Sequence, residues 1–202
     1  MGKLIVTEFL TLDGVAQAPG GRDEDNDGGF THGGWQAPLM DEAAGEAIFE
    51  QAKDMDALLL GRRTYEIFAA YWPSAAADNP FTQLLNAVPK YVASRTLTAP
   101  LDWRASSLVG RSLAEEVASL KERHEELHVI GSLDLLQSLL RLGLVDRLEL
   151  WLHPLLLGSG KQVFAEGTMP TALRLMSSVS YSTGILQLSY EAVGSPSYGE
   201  MG

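Results

Sequence analysis

Residues 57–71 read "ALLLGRRTYEIFAAY". Ala57 to Leu60 is a short apolar run of the length of a buried strand, Gly61 stops it, and "RTYEIFAAY" reads as a helix. Strand, glycine and helix in direct succession form the basic unit of an α/β sheet. The paired Arg62 and Arg63 at this junction stand out, because the 202-residue chain has 15 Lys and Arg against 26 Asp and Glu, a formal net charge of -11. Paired cations at a helix start call for an anion.

Working outward, the same alternation recurs. Lys3 to Leu10 is β-branched and partly alternating, which predicts a strand. Gly14 to Gly34, rich in Gly and Asp, predicts a long surface loop, and loops of that length are commonly lids. A helix is expected from about Leu39 to Lys53, carrying Ala43, Ala44, Ala47, Ile48 and Phe49. The Pro-, Ala- and Asn-rich stretch after Tyr71 reads as a loop, and Lys90 to Ser94 as a strand. Ser112 to about Arg123 is expected as a helix, with Ser112 as N-cap and Glu115 completing a capping box. Leu127 to Gly131 reads as a strand, followed by a helix that starts with Ser132 and is closed by Gly143. "DRLELWLHPLLL" alternates like a strand; Ala172 to Tyr181 and Ile185 to Ala192 are two more, joined by the turn Ser182-Thr183-Gly184. The fold class is therefore α/β, with a mostly parallel sheet, helices on both faces, and the last three strands as antiparallel additions at one edge. One domain is expected over residues 1–194, with 195–202 as a flexible tail.

Composition narrows the function classes. Hydrophobic residues make up 46% of the chain and charged residues 20%, enough for a packed core. The acidic balance argues against nucleic acid and against anionic membranes as partners. Cysteine is absent, which removes disulfides and thiolate metal sites. The N-terminal apolar stretch is broken by Thr7 and Glu8, too short for a signal peptide, so a soluble cytoplasmic protein is expected.

Ligands of open α/β sheets collect where strands end and helix N-termini present free N–H groups. Three junctions have the chemistry for an anion. At Gly61-Arg62-Arg63-Thr64, the glycine permits close backbone approach and the guanidiniums fit phosphate oxygens. Ser94-Arg95-Thr96 repeats hydroxyl plus guanidinium after a strand, and Gly131-Ser132 is a small, close-approach turn. A ligand with several phosphates, such as a dinucleotide, suits the set. Neither the GxGxxG nor the GxxxxGK[ST] fingerprint is present.

Taken in order, "TLDG" (11–14), "LLLGRRTYE" (58–66), "KYVASRTL" (90–97) and "VIGSLDLLQSLLRLGLVDRLELWLHPLLLGSGKQVF" (129–164) resemble the riboflavin-biosynthesis reductases. These are the RibD C-terminal domains of the dihydrofolate reductase-like superfamily. The resemblance implies a dihydrofolate reductase-like fold, NADPH as cofactor, a homodimer, and hydride transfer to a small heterocyclic or ribityl substrate. The reduction of 5-amino-6-(5-phosphoribosylamino)uracil in riboflavin synthesis is the model reaction. It places Gly61, Arg62, Arg63 and Thr64 at the cofactor's phosphates, Ser94 and Arg95 at the 2′-phosphate, and Gly131, Ser132 and Leu133 at the pyrophosphate. Two departures accompany it. Members commonly carry Gly-Gly where this chain has Gly131-Ser132, and the helix carboxylate of folate reductases, one turn before the substrate-facing Phe49, is replaced by Gly45.

For the proton that accompanies hydride transfer, Asp13 in "TLDG" is the best-placed acid; water and an Asx-turn role for Asp13 are the alternatives. Trp35 and Phe49 are the candidates to stack on a heterocycle, against a plain core role. No metal is expected. "HEELH" (124–128) fits HExxH, but His128 opens a strand, and "DEDNDG" (23–28) begins a calcium loop whose twelfth position is Gly34. "GSGK" (158–161) reads as a structural loop or subunit contact. The competing class is a binding protein on the same fold, holding a nucleotide or drug-like ring without turnover.

Overall fold

The computed structural model of the chain describes residues 1–110 and 112–202. Its eight strands are β1 (Lys3–Thr11), β2 (Ala57–Gly61), β3 (Lys90–Ala93), β4 (Ser106–Leu108), β5 (Glu126–Ile130), β6 (Arg147–His153), β7 (Leu173–Ser180) and β8 (Leu186–Ala192). Five helices accompany them: α1 (Glu42–Ala52), α2 (Arg62–Tyr71), α3 (Pro80–Ala87), α4 (Leu113–Arg123) and α5 (Leu133–Arg141). The strands form one sheet in the order β4-β3-β2-β5-β1-β6-β8-β7. β4, β3, β2, β5, β1 and β6 are mutually parallel, and β8 and β7 add antiparallel.

Period-two alternation sorts the side chains of the strands into two cores. Leu4, Val6 and Leu10 of β1, with Leu127 and Val129 of β5, pack against Val117 and Leu120 of α4 and Leu136 and Leu139 of α5. Leu58 and Leu60 of β2 and Val92 of β3 face the other way, onto Ala52 of α1, Tyr65 of α2 and Leu85 of α3. Helices thus cover both faces. Leu135, Leu136, Leu139 and Leu140 form the buried stripe of α5, and Gly143 (φ +64°) ends it in the left-handed region that favours glycine.

The connection that leaves β2 runs through α2 on one face to β3, whereas the connection that leaves the adjacent β5 runs through α5 on the other face to β6. Neighbouring parallel strands whose crossovers depart in opposite senses define a topological switch point, the crevice where such sheets bind ligands. β2 and β5 pair only through Ala57↔Leu127 and Leu58↔His128, so their ends toward the crevice are not laddered together.

Several expectations need correction. β6 is parallel to β1, because α5 returns the chain to the starting end of the sheet; only β7 and β8 are antiparallel. The stretch read as a Pro/Ala/Asn loop contains α3, which begins at Asn79-Pro80: Asn79 Oδ1 accepts from the N–H groups of Phe81 and Thr82, and proline fits the first helical turn. Three-residue β4 lacked enough length to signal itself. Ser112 occupies the N-cap position of α4 without a side-chain capping bond; Glu116, one residue past the expected Glu115, instead accepts from Gly110 N. The loop from Gly14 to Gly34 is not merely superficial, since Val15, Ala18 and Phe30 bury themselves with Trp35 in a core of their own.

One charged residue breaks the apolar pattern of β1. Glu8 alternates with Val6 and Leu10, is 1% exposed, and its Oε1 has no partner among the described residues. Burial pushes its carboxyl from 4.5 up to about 8, so it is a neutral acid at pH 7. Below pH 4.5 the group is protonated in both folded and unfolded chains and contributes nothing. Between pH 4.5 and about 8 only the unfolded chain ionises, which destabilises the fold by about 1.4 kcal/mol per pH unit. Glu8→Gln is therefore expected to match the wild type near pH 4.5 and to exceed it by roughly several kcal/mol at pH 8. Urea denaturation of both proteins at pH 5, 6.5 and 8 measures the difference, and parallel curves would exclude a neutral Glu8.

Candidate functional site

The three junctions expected to bind an anion end adjacent strands β3, β2 and β5, and therefore line one end of the sheet. Two of them touch. Gly61 N donates to Ser132 Oγ at 2.9 Å, and a Cβ built on Gly131 would lie 3.6 Å from the Thr64 side chain. Gly131 (φ +61°) and Ser132 (φ +65°, ψ +48°) both occupy the left-handed region. For serine this conformation costs about 1 kcal/mol, and the hydroxyl's bond to Gly61 offsets that strain. The serine spans the gap between β2 and β5, directing its hydroxyl onto the backbone of the first junction.

At two of these junctions the helix that follows starts without a side-chain cap. Asp41 caps α1 and Asn79 caps α3, but α2 and α5, which start at the crevice, have no side-chain cap. Uncapped first-turn N–H groups carry the positive end of the helix dipole and suit phosphate oxygens. α4 is also uncapped, but it follows the outer strand β4. At the third junction, Ser94 Oγ accepts from the N–H groups of Thr96 and Leu97, fixing the turn, while Arg95 is exposed and has no acidic partner among the described residues. Leu133, the first residue of α5, is half-buried against the core beneath. Backbone donors, hydroxyls and guanidinium together fit the phosphates of a dinucleotide.

The paired arginines divide their work. Arg62 bonds Glu66 one helical turn on, at 3.0 Å, with both side chains half exposed. Arg63 turns to the long loop and meets Asp25 at 2.7 Å and Asp27 at 3.0 Å. Lys161 reaches the same two carboxylates at 2.7 and 3.0 Å. Burial tends to raise Asp25, but the Lys161 hydrogen bond and the charges of Lys161 and Arg63 outweigh it, leaving its pKa below the ordinary carboxylate value. The acidic turn "DEDNDG" is thus no solvated lid, since two of its carboxylates bind cations of the chain. A cleft of about 370 Å³ opens where Arg62 and Arg63 face this turn.

Asp13 follows the end of β1. Its Oδ1 accepts from the Thr11 hydroxyl, and its Oδ2 from the N–H groups of Leu157 (3.0 Å) and Gly158 (2.7 Å). The Thr11 hydroxyl first, then the Gly158 amide, hold the carboxyl below its ordinary pKa. Such a group favours its ionised form, and its bonds tie the end of β1 to the loop after β6; they are not those of an Asx-turn, since the Val15 amide donates to Thr11 Oγ1.

Trp35 and Phe49 do not come together. Trp35 is 7% exposed, donates from Nε1 to Gln17 O at 2.8 Å, and meets the buried His153 edge-on with ring centroids 5.1 Å apart. It also walls a cleft of about 920 Å³, with Arg22, Phe30, His32 and Leu157. That cleft contains none of the junction residues. Phe49 is half-buried on α1 and lines neither cleft. Gly45, one turn earlier, faces open space: a Cβ there meets nothing within 4 Å.

The histidines of "HEELH" part company. His124 ends α4 and bonds the Tyr91 hydroxyl at 3.0 Å, while His128 is buried within β5 and bonds Glu126 at 3.2 Å. Sequence reasoning missed Lys161 as a partner of Arg63, and Gln17 as the anchor of the acidic turn. Gln17 Nε2 donates to the carbonyls of Asp25 and Asp27, both at 3.0 Å, and Lys161 N donates to Gln17 Oε1. No local signal marks residues 136 positions apart as neighbours.

Comparison with known proteins agrees with this architecture. A putative riboflavin biosynthesis protein from Shewanella sp. PV-4 superposes with a TM-score of 0.66 at 24% identity, covering 95% of this chain and 99% of that one. A pyrimidine reductase-like protein from Corynebacterium diphtheriae gives a TM-score of 0.66 at 12% identity, covering 95% and 92%. RibD from Acinetobacter baumannii gives 0.61 at 14% identity; the match covers 96% of this chain but 58% of that longer one. In sequence, the uncharacterized protein YyaP of Bacillus subtilis (strain 168) is 27% identical over 194 residues, 93% of this chain and 94% of that protein. No helix among the described residues is long and apolar enough to cross a membrane. Residues 2–187 match the family model of the RibD C-terminal domain, and with a dihydrofolate reductase-like fold the chain belongs to that family.

Proposed function

We propose that the protein is an NADPH-dependent reductase that transfers hydride to a small heterocyclic or ribityl substrate, in the manner of the riboflavin-pathway reductases. The observation that carries this reading is the meeting of two uncapped helix starts at the β2–β5 switch point, linked through Ser132 and Gly61. When bound, NADPH supplies the hydride. The first-turn amides of α2 and α5, with Thr64 and Ser132, hold its pyrophosphate. Arg95, without an acidic partner, meets the 2′-phosphate together with Arg62, whose bond to Glu66 is half exposed and readily exchanged. With Asp13 held as carboxylate and Gly45 lacking a side chain, ordered water brings the proton to the reduced substrate.

We also read the chain as a homodimer. Strand β7 is the edge of the sheet and exposed along its whole length, with Leu175 51% and Met176 56% accessible. Leu173, Val179 and the neighbouring Leu186 extend this apolar surface, and an uncovered edge of this kind invites another strand. A second copy of the chain satisfies it.

Arg62→Ala and Arg95→Ala are expected to weaken NADPH by about tenfold each, from the loss of a charge-assisted phosphate contact, while leaving NADH nearly unchanged. Fluorescence titration of both nucleotides decides it; equal affinities in wild type and both variants would remove the 2′-phosphate assignment. Asp13→Ala removes three hydrogen bonds, two from the loop at Leu157 and Gly158 and one from the Thr11 hydroxyl, and is expected to lower stability by about 2–4 kcal/mol. Asp13→Asn should keep the pH profile of NADPH oxidation; a lost limb in that profile would reinstate Asp13 as the acid. Light scattering at micromolar concentration should give twice the chain mass for the wild type and a monomer for Met176→Lys.

A further inference from the structure

Arg63 and Lys161 come from distant parts of the chain, one from the start of α2 and the other from the loop after β6. They nevertheless bring two cationic groups to the same pair of carboxylates, with all four N···O distances between 2.7 and 3.0 Å. The Asp25 side chain is only 11% exposed, so it is seated between the cations, not resting on them. The turn is held from behind: Gln17, 4% exposed, grips the carbonyls of Asp25 and Asp27 and receives Lys161 N on its Oε1. Further bonds from Ala16 N to Lys161 O and from Val163 N to Gly14 O fix the lysine strand against the base of the loop. The framework thus positions both cations and both carboxylates.

Two carboxylates about an arginine and a lysine present a double negative charge and several acceptor oxygens to the two cations, as a phosphate group does. They do so beside the first turn of α2, where the amides left free by side chains also point toward an anion. Arg63 Nη1 spends its N–H groups on Asp25 and Asp27, and Lys161 Nζ is held by the same pair, so a ligand cannot use these donors while the turn is in place.

We propose that Arg63 and Lys161 form a phosphate subsite whose resident counter-ion is the chain's own Asp25–Asp27 turn, so that a phosphorylated ligand enters by displacing these carboxylates. The proposal rests on the reductase reading of the same crevice and adds Lys161 and the acidic turn to it. The phosphate it admits is either that of the nucleotide cofactor or that of a phosphorylated substrate. Because the carboxylates compete with the ligand, apparent affinity is reduced by the fraction of molecules in which they hold the cations. The four pairs are partly exposed, which sets that reduction at about tenfold. The acidic turn therefore selects against weak or singly charged anions, which do not recover the interactions they displace.

The test uses the full chain and three probes: inorganic pyrophosphate, NADPH and ribose 5-phosphate, each titrated by calorimetry into wild type and Asp25→Asn/Asp27→Asn. At least one probe is expected to bind about tenfold tighter to the double variant, and Lys161→Gln in that background should abolish the gain. A gain for NADPH alone assigns the subsite to the cofactor, and a gain for ribose 5-phosphate alone to the substrate. If pyrophosphate gains while NADPH binds neither protein, the counter-ion role stands and the cofactor reading fails. If NADPH binds the wild type and no probe gains, the cofactor reading stands and the counter-ion role is overturned. Should the double variant not fold, Asp27→Asn alone, at a half-exposed position, is expected to give about a threefold gain, and no gain there overturns the proposal equally.

Discussion

The partial pairing of β2 with β5 is the constraint on which the rest of the molecule depends. Two residue pairs hold these strands together at their starts, and beyond them the strands have separate destinies. One sends its helix to one face of the sheet, and the other sends its helix to the opposite face. The unladdered gap between them is where both helices begin, and backbone donors at such starts have no partner inside the helix. A polar ligand, or a polar side chain, has to meet that demand. Ser132 meets part of it, and the remainder defines the crevice.

Charge at this crevice is a local matter in a chain of opposite sign. The excess of carboxylates does not simply surround the guanidiniums at a distance; one acidic turn is folded onto them and fastened by a buried glutamine. Elsewhere the same carboxylate chemistry is used for construction. Asp13 ties the end of β1 to the loop after β6 through two amides, and Asp56 receives the amides of Glu125 and Glu126. Lys90, wholly enclosed, gives hydrogen bonds to the carbonyls of Asn86 and Arg104 and lies over the Trp103 ring. Among the described residues the buried side-chain atoms left without a partner are Glu8 Oε1, Ser106 Oγ, His128 Nδ1, His153 Nε2 and Thr183 Oγ1, and of these only Glu8 carries an acid.

Most of the architecture was legible because it lies in local pattern. Apolar runs ended by glycine mark β2 and β5, and the leucine spacing with Gly143 marks α5, each within a residue or two. The three junctions were legible for the same reason, since each is a continuous tripeptide or tetrapeptide. What escaped was set by tertiary structure. The direction of β6 depends on which edge α5 returns to, and α3 hid in a proline- and asparagine-rich stretch whose signal is a cap, not a periodicity. Trp35 is placed by how the long loop packs, which no local pattern gives, whereas Phe49 sits on α1 within the helix the pattern predicts. Lys161 was invisible as a site residue because its partners lie at the other end of the chain.

Ser132 has one more consequence. A side chain that bridges two strand ends sets the width of the mouth between them while the protein folds. The disorder that a loose mouth would surrender on meeting a ligand has already been surrendered, and the recognition surface arrives preorganised. A pair of glycines at that turn would leave the same opening elastic. In this protein a single hydroxyl group ties the two strand ends together.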